Sequence, residues 1–332
     1  MSARRRLIVL LLLAAAVLAA GAAGCGGGEK QVKRNDQGVV GDTFNGVTVK
    51  LPDRPVAIAA GAGGVWATSM AGGVVSKIDP ATNKAVGKPV ITDDAPYAID
   101  VAFGKIWVAT FQNDYIVRLD PRTRRVIDRV KVDNRPFGMA DGYGYMWVTS
   151  IRGQTLSRLD PVTGKRVGDR IALSGVPYQV VAGFGYVWVT DIRDGLIDKI
   201  DPKTGKRVSP PIKVGNFPGA IAAGGKYIWV ANVRDANVWR IDPRTGRRVG
   251  APIPVPVRPQ AIAADANDVW VASIDGDTLT HIDARTGTRD KLPLLIGNAP
   301  SDIAIVPDGP HAGDVWVTLA KDDAAARVAA RH

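Results

Sequence analysis

The chain has 332 residues, of which 43 are Lys or Arg and 32 are Asp or Glu, so its formal net charge is +11. A basic protein suits an anionic cell envelope, polyanions or nucleic acid. Its single cysteine excludes an intramolecular disulfide. Strand-forming residues alternate with Gly, Pro, Asn and Asp, and helix-like patterns are nearly absent after residue 25, which predicts an all-β protein.

The N-terminus has the layout of a secretory signal peptide. Arg4–Arg6 give a positive start, Leu7–Ala20 form an apolar run, and Ala22–Gly24 are small residues that precede Cys25. The apolar run is too short for a membrane span of about 20 residues. We therefore predict that residues 1–24 are a signal peptide and that the protein is exported, which argues against nucleic acid as a partner.

Cys25 stands where a resemblance to the bacterial lipobox places the cysteine that receives a diacylglycerol. The match departs from the usual pattern at Ala22, where leucine is commonest. Because an exposed unpaired thiol is a liability in an oxidising compartment, we predict a lipoprotein anchored to the outer face of the bacterial membrane. Ordinary cleavage that leaves a free thiol is the alternative. Residues 25–44 are rich in glycine and polar residues, which predicts a flexible tether.

From about residue 45 to the C-terminus the chain repeats one unit. Seven tryptophans recur at steps of 41, 40, 41, 41, 41 and 46 residues, namely Trp66, Trp107, Trp147, Trp188, Trp229, Trp270 and Trp316. Each of the first six follows a proline by eleven residues and precedes an aspartate by thirteen. A fixed period of about 40 residues with strand-like content is typical of propellers. A chain of this length usually has two domains, but the repeat predicts one domain over residues 45–332.

The third unit shows how one repeat forms a blade. Its predicted strands are Phe137–Asp141, Tyr145–Ser150, Thr155–Leu159 and Arg166–Leu173. Four antiparallel strands in about 40 residues make one propeller blade, so the seven units predict a seven-bladed β-propeller. Residues 160–164 (Asp-Pro-Val-Thr-Gly) are typical of a turn, because aspartate accepts amide hydrogen bonds and glycine tolerates positive φ.

The two ends of the repeated region complement each other. The last unit, around Trp316, has a degenerate third strand at Ala325–Ala330 and no fourth strand. Val47–Leu51 has the residue pattern of a fourth strand, but no repeat unit precedes it. We therefore predict that Val47–Leu51 pairs with the C-terminal blade and closes the ring. Closure would remove two exposed sheet edges that invite aggregation, and we expect a monomer.

The repeated text resembles known bacterial propellers. Residues 185–190 (Gly-Tyr-Val-Trp-Val-Thr) followed by 200–206 (Ile-Asp-Pro-Lys-Thr-Gly-Lys) look like YVTN-type repeats and the virginiamycin B lyase-like superfamily. The resemblance covers about residues 45–332. For activity it implies a metal-assisted C–O lyase that uses histidines and glutamates on the central face. A shared fold does not imply a shared function, so the activity has to be judged from the individual residues of this chain.

The residues implied for such a lyase site are missing from the repeats. The only glutamate is Glu29, in the predicted tether, and the histidines are His281, His311 and His332. The position of the repeat that His281 occupies holds Lys or Arg in the other units, and we call this position the basic column. It predicts a solvent-facing side chain for His281. No His/Glu pair is placed to hold a metal or move a proton. We therefore favour a non-catalytic binding protein without a cofactor, and a lyase-like or hydrolytic enzyme with a divergent site is the alternative.

Small side chains predominate two and four residues after the proline, on the strands predicted to crowd around the channel. Asp100 and Asp302 depart from this pattern. Two inward-facing carboxylates suit a hard cation with oxygen ligands. The alternative is two separate polar residues in contact with channel water, and we assign no metal ligand from the sequence.

Loops that enter the first strand and leave the second emerge on one face of a propeller, called the top face here. Three adjacent units place an aromatic residue directly after the proline, and three adjacent units place an arginine after the second strand. With the aspartates that follow two of these arginines, the candidate site residues are Tyr97, Phe137, Tyr178, Arg152, Arg193, Arg234, Asp194 and Asp235. An aromatic floor beside guanidinium groups suits a carboxylated, phosphorylated or glycan ligand. Loop packing with surface ion pairs is the alternative.

We predict that the partner is an envelope protein, a glycan or an anionic small ligand. The opposite, bottom face is basic, with cations such as Arg125, Lys165, Lys206 and Arg247 in its predicted turns. Two interpretations of this face stay open. One is attraction to anionic lipids or wall polymers, and the other is a rim that only aids solubility.

Overall fold

The computed structural model describes residues 32–92 and 95–330. Within these ranges every regular element is a β-strand, and no helix is long and apolar enough to cross a bilayer. Seven sheets surround a central channel, and the first strand of the seventh sheet contacts the first strand of the first. The predicted seven-bladed β-propeller is confirmed. The predicted signal peptide, Cys25, Glu29 and His332 lie outside the described residues.

Each blade has four strands, counted here from the channel outwards. The first strands are Pro55–Gly61, Pro96–Ala102, Pro136–Gly142, Pro177–Gly183, Pro218–Gly224, Pro259–Ala264 and Pro300–Ile305. The second strands are Gly64–Ser69, Lys105–Thr110, Tyr145–Ser150, Tyr186–Asp191, Tyr227–Asn232, Asp268–Ser273 and Val315–Leu319. The third strands are Val74–Asp79, Tyr115–Asp120, Thr155–Leu159, Leu196–Ile200, Asn237–Ile241, Thr278–Asp283 and Ala324–Val328. The fourth strands are Lys84–Ala85 with Val90–Ile91, Arg125–Lys131, Ile171–Ala172, Ile212–Lys213, Ile253–Pro254, Leu294–Leu295 and Val47–Lys50.

The second strand of each blade is covered on both faces, which explains its continuous run of apolar residues. The repeated tryptophan lies at its centre and is fully buried in six blades and 2% exposed at Trp270. In the second blade the indole N–H of Trp107 donates to the carbonyl of Ala102, at 3.1 Å, so the ring is fixed to the end of the first strand. One tryptophan per blade therefore sets the period of the sequence.

A basic side chain on the third strand links most blades to the next one. The guanidinium of Arg118 lies 5.1 Å from the ring centre of Trp107 and donates to the carbonyl of Pro161 in the third blade, at 3.2 Å. In the same way Lys199 Nζ donates to the carbonyl of Pro243 in the next blade, at 2.7 Å. This column of the repeat therefore holds neighbouring blades together.

His281 occupies the same column in the sixth blade, and the prediction that it faces solvent is wrong. Its side chain is nearly buried, and its ring centre lies 4.8 Å from that of Trp270. Nε2 lies 2.7 Å from an oxygen of Asp268, and Nδ1 lies 3.2 Å from an oxygen of Asp290. Two flanking carboxylates therefore let an imidazole replace a guanidinium in a packing position that the sequence alone presents as surface charge.

The ring closes as predicted. Val47–Lys50 pairs antiparallel with Ala324–Val328, so the weak third strand begins one residue earlier and ends two earlier than expected. Val49 is buried in the seam. Arg327, in the basic column, pairs with Asp314 at 2.6 Å and donates to Asn83 Oδ1 of the first blade at 3.0 Å.

The fourth strand of the third blade is shorter than predicted. In the third blade only Ile171–Ala172 is a strand, not Arg166–Leu173, because Gly168 takes a φ of +69° and bends the chain. The second blade has no glycine at this position, and Arg125–Lys131 forms a continuous fourth strand.

Residues 32–43, in the stretch predicted as a tether, pair with the outer edge of the sixth blade. Val40–Thr43 runs parallel to Leu294–Leu295, and Val32–Arg34 pairs with Val40–Thr43. Gly41 permits this contact, since a Cβ there would come within 2.6 Å of the Pro293 carbonyl oxygen. This part of the stretch is therefore folded against the propeller.

Candidate functional site

The channel contains a cavity of about 390 Å³ that first-strand residues of all seven blades line. Most of the lining is Ala, Val and Ile, as expected where strands crowd together. The polar exceptions are few, and they include Gln179, Gln260, Asp100, Asp141 and Asp302. These side chains and the loops above them define the chemistry of the channel and its mouth.

The three predicted aromatic residues come together at the top of the channel. The ring centres of Tyr97 and Phe137 are 4.4 Å apart, and those of Phe137 and Tyr178 are 4.0 Å apart. Phe111 and Phe217 extend this aromatic cluster, 5.8 Å from Tyr97 and 5.9 Å from Tyr178. Neither residue was predicted from the sequence, although Phe217 directly precedes a proline that begins a first strand.

The two tyrosines of the cluster stay uncharged. Burial raises the pKa of Tyr97, and the neighbouring Tyr178 and Asp302 add to this. Burial also raises the pKa of Tyr178, whose hydroxyl interacts with Tyr97 and Gln260. The channel mouth therefore presents neutral hydroxyl groups that can donate hydrogen bonds to a bound group.

Of the three predicted arginines, the structure brings only Arg234 to the aromatic cluster. Its guanidinium lies 5.5 Å from the ring centre of Phe217. Arg152 and Arg193 are exposed, and within the described ranges their side chains make no ion pair, hydrogen bond or ring contact.

The two predicted aspartates support the loops around the cluster. Asp235 accepts from the backbone N–H and the side-chain amide of Asn216, at 2.8 and 2.7 Å. Asp194 is exposed, and its backbone carbonyl accepts from Lys213 Nζ at 2.6 Å. The Asp235 carboxylate thus orders the loop that carries Phe217.

A groove of about 610 Å³ opens beside the cluster, at the top of the fourth to sixth blades. This top-face groove is lined by Tyr178, Phe217, Val233, Arg234, Ala236, Val257, Arg258 and Gln260. Arg258 pairs with both carboxylate oxygens of Asp275, at 3.0 Å each. Arg234 has no acidic partner in the described part of the chain. The groove thus combines an apolar floor with one guanidinium that no carboxylate neutralises.

Asp100 and Asp302 each connect neighbouring blades. Asp302 accepts from the backbone N–H of Ile58 in the first blade at 2.9 Å, and Asp100 accepts from that of Asp141 in the third blade at 3.0 Å. The described residues contain no group of three His, Cys, Asp or Glu that could hold a metal ion. This geometry favours the interpretation of two separate polar residues.

Both channel aspartates titrate near neutral pH. Burial raises the pKa of Asp302 to about 7. Burial, with a smaller contribution from Asp141, raises the pKa of Asp100 to about 7 as well. Asp302 and Tyr97 both line the channel cavity, so this carboxyl group is available to a group bound in the channel.

The remaining described histidine lies in an ion-pair network of the seventh blade. His311 Nδ1 is 3.3 Å from Asp314 and 3.0 Å from Arg327. His281 lies on a third strand, away from the channel lining. No histidine or glutamate therefore lines the channel in the part of the chain that the structure describes.

Residues 43–330 match the virginiamycin B lyase family. The chain belongs to this family. The match covers nearly the whole repeated region and confirms the resemblance in the sequence. No curated protein matches the chain.

Several solved structures share the fold of this chain. A streptogramin B lyase structure is 22% identical with a TM-score of 0.71, over 83% of this chain and 94% of that one. A catalytically inactive virginiamycin B lyase from Staphylococcus aureus with quinupristin is 18% identical with a TM-score of 0.73, over 86% and 99%. Hydrazine synthase from Kuenenia stuttgartiensis is 16% identical with a TM-score of 0.71, over 86% and 98%. At these identities the likeness shows the fold alone.

Proposed function

We propose that the protein is an exported, lipid-anchored propeller that binds an anionic ligand or protein segment at the outer face of the cell envelope, without catalysis. The observation that carries this proposal is the top-face groove, where the Arg234 guanidinium lies over the Phe217 ring and beside apolar residues. A guanidinium held on an aromatic ring is already oriented, so it loses little freedom when it binds a carboxylate or phosphate.

The placement of the histidines supports a binding role over lyase activity. His281 is held between Asp268 and Asp290, and His311 lies beside Asp314. Both imidazoles thus contact carboxylates away from the channel lining. A lyase that relies on histidine and glutamate at that mouth would need residues that the described channel lining does not contain.

Arg234→Ala is expected to weaken binding of an aromatic anion about tenfold, which corresponds to about 1.4 kcal/mol, because a charge-assisted contact is lost. The probe is 8-anilinonaphthalene-1-sulfonate, whose fluorescence reports its transfer to an apolar site. Arg152→Ala is the matched control, since Arg152 is exposed and lies outside the groove lining. Equal affinities of parent and Arg234→Ala, or an equal loss in the control, would contradict the proposed site.

One observation favours the alternative of a lyase-like or hydrolytic enzyme with a divergent site. Asp302, with a pKa of about 7, lines the same channel cavity as Tyr97. A carboxyl group that titrates near neutral pH can act as a general acid or base. Turnover of virginiamycin B that EDTA abolishes would establish a metal-dependent lyase. Turnover that resists EDTA but is lost in Asp302→Asn would establish the acid–base alternative.

The anchor is tested separately from the groove. Metabolic labelling with a fatty acid is expected to mark the parent protein and to leave Cys25→Ala unlabelled. An unlabelled parent that is found in the medium would show ordinary cleavage and release.

A further inference from the structure

Three adjacent blades expose an aromatic side chain at the turn between their first and second strands. Phe103, Tyr143 and Phe184 are 39%, 43% and 41% exposed. A glycine follows each of them, and a Cβ on any of these three glycines would meet no atom within 4 Å. These aromatic residues, called the aromatic tips here, are therefore partly exposed in turns that border open space.

The turns do not require aromatic residues. Phe103, Tyr143 and Phe184 have φ values of +53°, +53° and +54°, in the left-handed region that bulky side chains disfavour. The equivalent turn residues are Ala62 in the first blade and Gly225 in the fifth. Residues with a strained backbone persist mainly where they serve a function. The fold alone therefore does not explain why three neighbouring turns carry aromatic residues.

Basic side chains lie on the same face as the aromatic tips. In the sixth blade the N–H of Ala284, in the turn between the third and fourth strands, donates to the carbonyl of Asn267, in the turn between the first and second. Both kinds of turn therefore lie on the bottom face. In the second to fourth blades the exposed cations at the end of the third strand and the start of the fourth are Arg122, Arg125, Lys165, Lys203 and Lys206. Arg166 and Arg207 lie there too, but they pair with Asp133 and Asp198.

These turns contain fewer acidic residues than basic ones, and the carboxylates of those acids accept hydrogen bonds from the turn backbone. Asp120, Asp160 and Asp201 each accept hydrogen bonds from the backbone N–H groups of their own turn. In Asp160 these bonds, from Thr163 and Val162, lower the pKa, so the carboxylate stays charged and directed at the backbone. The exposed charge next to the aromatic tips is therefore mainly positive.

We propose that the aromatic tips and the cations around them dock this face of the propeller on an anionic lipid bilayer. Aromatic rings favour the interface between headgroups and acyl chains, and Lys and Arg beside them attract anionic headgroups. The three rings make no contact with one another, so each can enter the interface separately. A protein partner or a second copy would instead require a contiguous apolar core.

This docking is independent of the acyl group on Cys25, and it sets an orientation. With the bottom face on the bilayer, the top-face groove opens away from the membrane. A ligand that arrives from outside the cell then reaches the groove without passing the lipid surface.

The test is co-sedimentation of a chain that begins at Gly26 with lipid vesicles. This chain keeps every strand that the structure describes and lacks the thiol. It is expected to partition at least tenfold more strongly onto vesicles of phosphatidylcholine mixed with phosphatidylglycerol than onto phosphatidylcholine alone.

The variant with Phe103→Asn, Tyr143→Asn and Phe184→Asn is expected to lose about tenfold in partition onto the anionic vesicles. Its thermal midpoint should not fall, because asparagine tolerates the left-handed conformation. Ile91→Asn is the control: Ile91 is 68% exposed on the fourth strand of the first blade, which has Ala62 in place of an aromatic tip, and its replacement should leave partition unchanged.

Three results would overturn the proposal. One is equal partition onto neutral and anionic vesicles. Another is unchanged partition of the triple variant, or an equal loss in the control. The third is self-association of the parent without vesicles that the triple variant abolishes, since it would assign the aromatic tips to a second copy of the chain.

Discussion

A chain that begins at Pro52 is expected to be about 5 kcal/mol less stable to unfolding than one that begins at Gly46. The shorter chain lacks Val47–Lys50, which supplies the fourth strand of the seventh blade, and it also loses the buried side chains of Val49 and Leu51. Urea unfolding of the two chains measures the difference. For a domain of this size the thermal midpoint should fall by about 10 °C.

The comparison isolates the closing strand, because both chains lack residues 32–43 and only one keeps Val47–Lys50. The shorter chain leaves Ala324–Val328 as an open edge, so it should also aggregate at lower concentration. If it does not fold at all, Val49→Ala, with an expected cost of about 2 kcal/mol, reports on the same contact. Equal stabilities of the two truncated chains, or an unaffected Val49→Ala variant, would show that the ring does not depend on this seam.

The closing strand also shows what a repeat makes predictable. Because each unit needs four strands, a missing fourth strand at one end and a spare one at the other imply their pairing before any coordinates are known. Fourth strands themselves were harder to predict, since one glycine such as Gly168 interrupts an otherwise strand-like segment. His281 was misplaced for a different reason: a repeated basic column looks the same whether it faces solvent or bridges two blades.

The candidate site was predictable only where it follows the repeat. Tyr97, Phe137 and Tyr178 share one column, and the structure brings them into contact. Arg234 shares its column with Arg152 and Arg193, yet only Arg234 reaches the rings. Loops of three blades form the groove together, and no spacing in the sequence encodes how loops from separate blades approach one another.

Asp302 is expected to lower the stability of the protein as the pH rises. Burial raises the pKa of its carboxyl group from 3.8 to about 7, so the folded state keeps this proton over a range in which the unfolded chain releases it. The contribution is complete below about pH 4 and is lost as the pH rises through about 7. A shift of this size amounts to about 4 kcal/mol at most, and channel water reduces it to about 2 kcal/mol.

Asp302→Asn should therefore be about 2 kcal/mol more stable than the parent at about pH 8 and nearly equal to it at about pH 4. The asparagine keeps an oxygen that can accept from the Ile58 N–H, so the link between the seventh and first blades survives. Urea unfolding across this pH range measures the effect. Asp201→Asn is the opposite control, because turn amides lower the pKa of Asp201 and its replacement should destabilise the protein at about pH 8.

The same variant separates the two functional alternatives, because stability and function should respond differently to it. A carboxylate that destabilises the fold above neutral pH is not needed to hold the blades together, since an amide makes the same contact. If Asp302→Asn is more stable and binds the aromatic anion as the parent does, the mouth of the channel works as a binding surface in which this charge has no part. If the variant gains stability but no longer turns over virginiamycin B, the carboxyl group destabilises the fold and is needed for the reaction. The enzymatic alternative then replaces the binding role. A variant that is less stable than the parent at about pH 8 would show that the carboxylate is well solvated or paired in the channel, and both arguments from its raised pKa would fail.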